Sequence, residues 1–215
     1  YDHIGVYALE EDLVESSLLY RTLAKLLSWE ERDVLRIANH PGWLEGDHHA
    51  LTTLMRFASS LDGIEIYNYS IEADPGLADT TWKWDCLLSM GYPLLGFAHD
   101  DSHSPADIGN AWIMVRAVNA SPQEIFKSLK SGNFYCSTGV TITEMERVED
   151  TLHIALAEDA IIRVIGTFGR VLDEFSGKAM EWNFADASTE YVRFHIRNSA
   201  WKQGWSQPFF KEPQL

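Results

Sequence analysis

Asp101 and His103 stand two residues apart just past a short apolar run, Tyr92-Pro93-Leu94-Leu95-Gly96-Phe97. A carboxylate and an imidazole at that spacing, beyond the end of a buried strand, can both turn toward one divalent cation in a cleft. His40 occupies a matching setting, after the apolar-rich run Val34 to Asn39 and before Pro41-Gly42. Taken singly, an Asp-x-His pair arises by chance and a histidine before Pro-Gly caps a loop. At the ends of successive strands in an alternating strand and helix pattern, where such folds place their chemistry, they point together to metal-dependent hydrolysis.

The elements that must carry these residues alternate along the first two thirds of the chain. An apolar strand over His3 to Leu9 opens it, and an element so apolar normally pairs on both sides, so a further N-terminal part is expected ahead of Tyr1. Helical spacing of Leu13, Leu19, Leu23, Leu26 and Leu27 predicts a helix over Glu11 to Leu27, with Glu11, Asp12 and Glu15 in its early turns. Further helices are predicted over Asp47 to Ser60 and Leu77 to Met90, separated by strands over Val34 to Asn39 and Gly63 to Asn68. After the Asp101 segment come a strand over Ala111 to Ala117 and a helix opened by Ser121 as N-cap, Pro122 and Glu124, ending near Gly132. Strands alternating with helices predict parallel pairing in a barrel or an open sheet. Beyond Gly139 the pattern changes to short β-rich segments, at Thr151 to Ala157, Ile161 to Ile165, Glu190 to Ile196 and Gly204 to Phe210. The expected architecture is α/β over 1–139 followed by a small antiparallel β-sandwich over 140–215.

Composition excludes several classes. With 215 residues, 46% of them hydrophobic, the chain can bury a substantial core. A formal net charge of -15 argues against nucleic acid or an anionic membrane as partner. No apolar run approaches the roughly 18 residues of a membrane span. Cys86 and Cys136 form no CxxC, so neither a thiolate zinc site nor a disulfide scaffold is indicated, and a reducing, cytoplasmic compartment is expected. The glycines form no phosphate-cradling or dinucleotide-binding motif.

Five stretches together carry a family resemblance: His3-Ile4-Gly5-Val6-Tyr7-Ala8-Leu9, Ala38-Asn39-His40-Pro41, Gly63-Ile64-Glu65-Ile66-Tyr67-Asn68, Asp100-Asp101-Ser102-His103, and Phe134-Tyr135-Cys136-Ser137-Thr138-Gly139. In this order residues 1–140 resemble the later portion of a PHP domain, the polymerase and histidinol phosphatase superfamily of metal-dependent phosphoesterases. The run Tyr191-Val192-Arg193 through Trp205-Ser206-Gln207-Pro208 is similar to the β tail that follows this domain in many bacterial members. The resemblance implies a distorted β/α barrel, here a partial (β/α)7 type, with zinc, iron or manganese ions at the strand C-termini. There a metal-bound hydroxide attacks the phosphorus of a small phosphorylated substrate. His3, His40, Asp101 and His103 match ligand positions. Glu65 and Asn68 line the same mouth, His99 and Asp100 orient ligands from behind, and Arg116 ends a strand near the mouth, where its fork could hold a phosphate. The family's opening His-x-His and its next acidic ligands have no counterpart here, so the resemblance implies activity for a longer parent protein and weak metal retention by this chain. An amidohydrolase-like enzyme uses the same donors, and a non-catalytic module with an incomplete metal site is the other alternative.

The remaining conspicuous residues receive structural readings. His48-His49 reads as a solvent-facing helix cap, His153 and His195 as surface or packed strand histidines, and Trp82 with Trp84 as aromatic packing.

Overall fold

The computed structural model describes residues 4–8, 34–185 and 188–211. His3 and the helix predicted over Glu11 to Leu27 lie outside them. Four strands form an open sheet in the order β1-β2-β3-β4: β1 (Ile4–Ala8), β2 (Val34–Ala38), β3 (Gly63–Asn68) and β4 (Leu95–His99). β2, β3 and β4 run parallel, and β1 is antiparallel to β2. All six residues of β3 are buried, as its central place demands. Close packing accounts for two glycines. A Cβ at Gly63 would lie 2.5 Å from the Phe97 ring, and one at Gly96 would lie 2.8 Å from the Trp84 indole.

Helices join the parallel strands. α1 (Trp43–Gly46) and α2 (Leu51–Phe57) replace the single helix expected over Asp47 to Ser60, and α3 (Thr81–Ser89) falls inside the expected Leu77 to Met90. α4 (Pro122–Lys130) begins where the sequence places it, with Ser121 Oγ accepting the Glu124 N–H at 3.3 Å. Among the described residues no helix is long and apolar enough to cross a membrane.

The expected β/α barrel is not formed. β5 (Trp112–Val115) leaves the parallel sheet and pairs antiparallel with β6 (Phe134–Ser137). The segment between β4 and β5 contains only one short 3-10 turn, Pro105–Asp107, and no α-helix of the kind that usually carries a parallel return. α4 is likewise no crossover. Its flanks meet where Arg116 N–H donates to the Asn133 carbonyl at 2.9 Å, so the helix departs from and returns to one edge. A helix between two strands thus gave a hairpin-like pair, which periodicity alone does not reveal.

β5 and β6 belong to an eight-stranded antiparallel sheet, whose other strands are β7 (Ile142–Val148), β8 (Thr151–Gly166), β9 (Arg170–Asn183), β10 (Tyr191–Asn198), β11 (Gln203–Ser206) and β12 (Phe209–Phe210). The sheet therefore takes strands from both sides of residues 139 and 140. A register shift between Ala155 and Ala160 bends β8, so that β7 pairs with its first half and β10 with its second. The sheet curls around a core that includes Leu152, Ile162, Val164, Phe184, Phe194 and Ile196. A second core, shared by both sheets, joins Ile64, Ile66, Trp84, Leu87 and Phe97 to Phe134, Cys136, Tyr191 and Trp205.

Polar contacts lock the sheets together inside that shared core. The Arg193 fork from β10 meets Asp85 on α3, with Nε to Oδ1 at 2.8 Å and Nη2 to Oδ2 at 2.7 Å. The guanidinium lies 5.1 Å from the centre of the Trp84 ring. Tyr191 Oη lies 3.1 Å from the Gly166 carbonyl and 3.2 Å from Asp85 Oδ1, and burial pushes its phenol well above the ordinary value. The Gln207 amide spans both backbone groups of Gly96, accepting from its N–H at 2.9 Å and donating to its carbonyl at 2.8 Å. Removing one partner of a buried pair strands the other charge, at a cost of about 3 to 5 kcal/mol. Asp85→Ala is therefore expected to lower the urea midpoint sharply, and Asp85→Leu with Arg193→Met to recover most of the loss. Equal losses in the two variants would assign the effect to packing instead.

Candidate functional site

The C-terminal edge of β2, β3 and β4 gathers five of the residues singled out from the sequence. Glu65, 2% exposed, sits at its centre. Its Oε2 accepts the backbone N–H of His40 and, at 3.2 Å, the side-chain amide of Asn68, while Oε1 lies 2.9 Å from Nδ1 of His99. One carboxylate thus ties together the ends of three adjacent strands. The Asn68 amide also donates to Asp101 Oδ2 at 3.1 Å, carrying the network from the buried Glu65 to the exposed Asp101.

Backbone strain marks the same edge. His40 has φ of 31° and Asp101 has φ of 51°, each two residues beyond the end of its strand. Left-handed backbone is uncommon outside glycine and costs on the order of 1 to 3 kcal/mol, so it persists only where its surroundings impose it. For His40 the Glu65 carboxylate imposes it by holding the N–H. For Asp101 it is Ser70, whose Oγ lies 2.6 Å from the Asp101 carbonyl and 3.1 Å from that of Asp100.

The loop carrying His103 is built around two further carboxylates. Asp100 accepts the N–H groups of Gly109, Asn110 and Ala111 at 2.6, 2.7 and 2.6 Å, which closes the loop at its base. Asp107 accepts those of His103 and Ser104 at 2.9 and 2.7 Å in a capping box. These two bonds, His103 first, hold the Asp107 carboxyl below its ordinary 3.8. Asp100 therefore orients backbone, and His103 is an exposed residue at the loop's outer part.

Behind His40 lies a group that sequence reasoning missed. Lys83, fully buried on α3, donates to the Pro41 and His49 carbonyls at 2.7 and 2.8 Å and pairs with Asp47 at 3.3 Å. Burial lowers its pKa. By drawing in those carbonyls it folds residues 41–49 under the site, so His48 and His49 pack inward rather than facing solvent as a cap. The His48 ring centre lies 5.1 Å from that of His40 and 4.6 Å from that of His49. The one signal in the sequence was a lysine flanked by Trp82 and Trp84 on the apolar-rich helix α3. Tyr67 borders the same edge and donates to Glu72 at 2.9 Å, and burial raises its phenol, which keeps it a neutral donor.

Arg116 is not at this mouth. β5 starts beside the Asp100 loop, where Ala111 N–H meets Asp100, and runs antiparallel to β6, so its far end delivers Arg116 to the opposite edge, beside Asn133. Parallel strands put every C-terminus on one side, and β5 is not one of them. Elsewhere, His153 pairs with Glu181 at 3.2 Å, and His195 stacks on Trp205 with burial lowering its pKa.

The donors expected to hold zinc, iron or manganese do not close into a metal centre among the described residues. No group of three or more His, Cys, Asp or Glu side chains is placed to hold an ion there. Both oxygens of Glu65 are engaged in hydrogen bonds, His103 is exposed, and His3 lies outside the described residues.

A family model described as PHP-associated matches residues 88–134, which carry His99, Asp100, Asp101, His103 and Arg116. It describes a region associated with the PHP domain rather than the catalytic domain itself. No curated protein matches the chain. Among solved structures, a DUF3244 family protein with an immunoglobulin-like β-sandwich fold from Bacteroides vulgatus is 17% identical, with 34% of this chain and 100% of that chain covered and a TM-score of 0.28.

The Asp107 cap sets a pH response. Its folded carboxyl titrates below the unfolded one, so the cap contributes fully above about pH 5 and is lost as pH falls through the lowered value. Amide protection of His103 and Ser104, read by hydrogen exchange, is expected to hold at pH 5 and to vanish only below the usual carboxyl range. Asp107→Asn is expected to weaken it at about pH 5 and above, where the wild-type carboxylate is charged, and protection unchanged in that variant would assign the loop's order to Asp100 alone.

Proposed function

We propose that this chain serves the hydrolysis of phosphate esters, taking a small phosphorylated substrate at the C-terminal edge of β2, β3 and β4. The observation that carries the reading is the polar network from Glu65 through Asn68 to Asp101, placed where α/β sheets bind ligands and reaching into the PHP-associated stretch. In this reading Glu65 positions, with His40 N–H, Asn68 and His99 as its three partners, and Asp101 meets the substrate's surroundings. The acidic surface disfavours nucleic acid as substrate, and the free Cys86 and Cys136 suit a cytoplasmic setting.

Zinc, iron or manganese is the cofactor implied by the resemblance. The described residues do not complete a site for it. The test supplies each of these ions in turn and follows release of p-nitrophenol from p-nitrophenyl phosphate. Release that falls tenfold or more in Asp101→Asn is expected, whichever ion is supplied. Equal rates in Asp101→Asn, or cleavage of a p-nitroanilide in place of the phosphate ester, would overturn the proposal, the latter in favour of amidohydrolase chemistry. No release with any ion would leave a binding module.

A further inference from the structure

Two cationic residues line one concavity at the edge of the molecule opposite the candidate mouth. A cleft of about 440 Å³ lies between the end of β5 and the last turn of α4, and Arg116, Lys127, Ser128 and Asn133 line it. Among the described residues neither Arg116 nor Lys127 makes an ion pair or a side-chain hydrogen bond. Lys127 alone has an ordinary explanation, since a basic residue in the last turn offsets the negative end of a helix. Arg116 arrives from a different element, and the helix end does not account for its place in the lining. With one carboxylate in the lining, Glu124, the two cations leave it a net positive charge of one.

We propose that this cleft binds a phosphate-type oxyanion borne by a small molecule. The guanidinium fork matches two oxygens of a tetrahedral oxyanion, and the ammonium adds a point charge. The Ser128 hydroxyl and the Asn133 amide are neutral donors within the same lining. The volume falls in the range of small-ligand sites. In a chain of net charge -15 the long-range field repels anions, so binding here depends on the local pair of cations and is confined to the cleft. The site is distinct from the mouth at the other end of β5 and does not rest on the hydrolytic reading.

The test is calorimetric titration of the full chain with inorganic phosphate, with sodium chloride matching the ionic strength. It is run on Asp101→Asn to remove any contribution from the mouth, then on Asp101→Asn carrying Arg116→Gln and Lys127→Gln. Saturable binding of one phosphate per chain is expected, weakened about tenfold or more by the two further substitutions. Both are exposed, and an unchanged melting temperature in chloride confirms that the fold is retained. Glycerol phosphate titrated in parallel separates a phosphomonoester from free phosphate as the source, and tight binding of either supports the site. No saturable heat, heat unaffected by the two further substitutions, or acetate binding as tightly as phosphate would overturn it.

Discussion

Asp85 and Arg193 are 108 residues apart in the chain and meet as a two-pronged pair in which neither side chain exposes more than 4% of its surface. The Arg193 Nη1 has no hydrogen-bond partner among the described residues, so the guanidinium depends on two bonds to Asp85 and on the Trp84 ring beneath it. Desolvating such a pair costs several kcal/mol per ion, and its attraction offsets that only when the geometry is close to ideal. The pair is therefore a poor source of stability but a strict specifier of arrangement. It admits one placement of α3 on the antiparallel sheet, and α3 carries Trp84 against Gly96 of β4 and Lys83 beneath the loop of His40. The mouth is in this way set by a contact made on the other side of the helix.

Glu65 plays the corresponding part within the parallel sheet. A carboxylate at 2% exposure needs donors on both oxygens. The three it has come from the ends of β2, β3 and β4, so satisfying one buried charge fixes three strand termini relative to one another. The contribution of Glu65 is to hold His40 in left-handed backbone and to hand one amide of Asn68 on to Asp101, where the network meets solvent.

Much of this was legible in the sequence, for reasons that differ by element. The buried run Gly63 to Asn68 and the Ser121-Pro122-Glu124 helix start are local signals, and both elements form as expected. The gathering of His40, Glu65, Asn68, His99 and Asp101 follows from parallel strands ending on one side, a rule that needs only the order of elements. Arg116 fails on the same rule, because the direction of β5 is decided by its pairing with β6 and no periodicity encodes a partner. β9 was missed because most of its residues are exposed and its charged positions hide the alternation that identifies a half-buried strand. Gln207 and Lys83 were missed because each acts on a backbone group far along the chain.

The reversal at β5 has a functional consequence that a closed barrel would lack. In a barrel of parallel strands every strand points its C-terminal end at one mouth. Here β5 carries Arg116 away from the network and sets it beside Lys127, across the molecule from Glu65 and Asp101. An acidic chain that separates its carboxylate-rich edge from its cationic cleft keeps the two fields from cancelling, since charges beyond about 8 to 10 Å at physiological salt are largely screened from each other. The separation arises from one change of strand direction between His99 and Trp112.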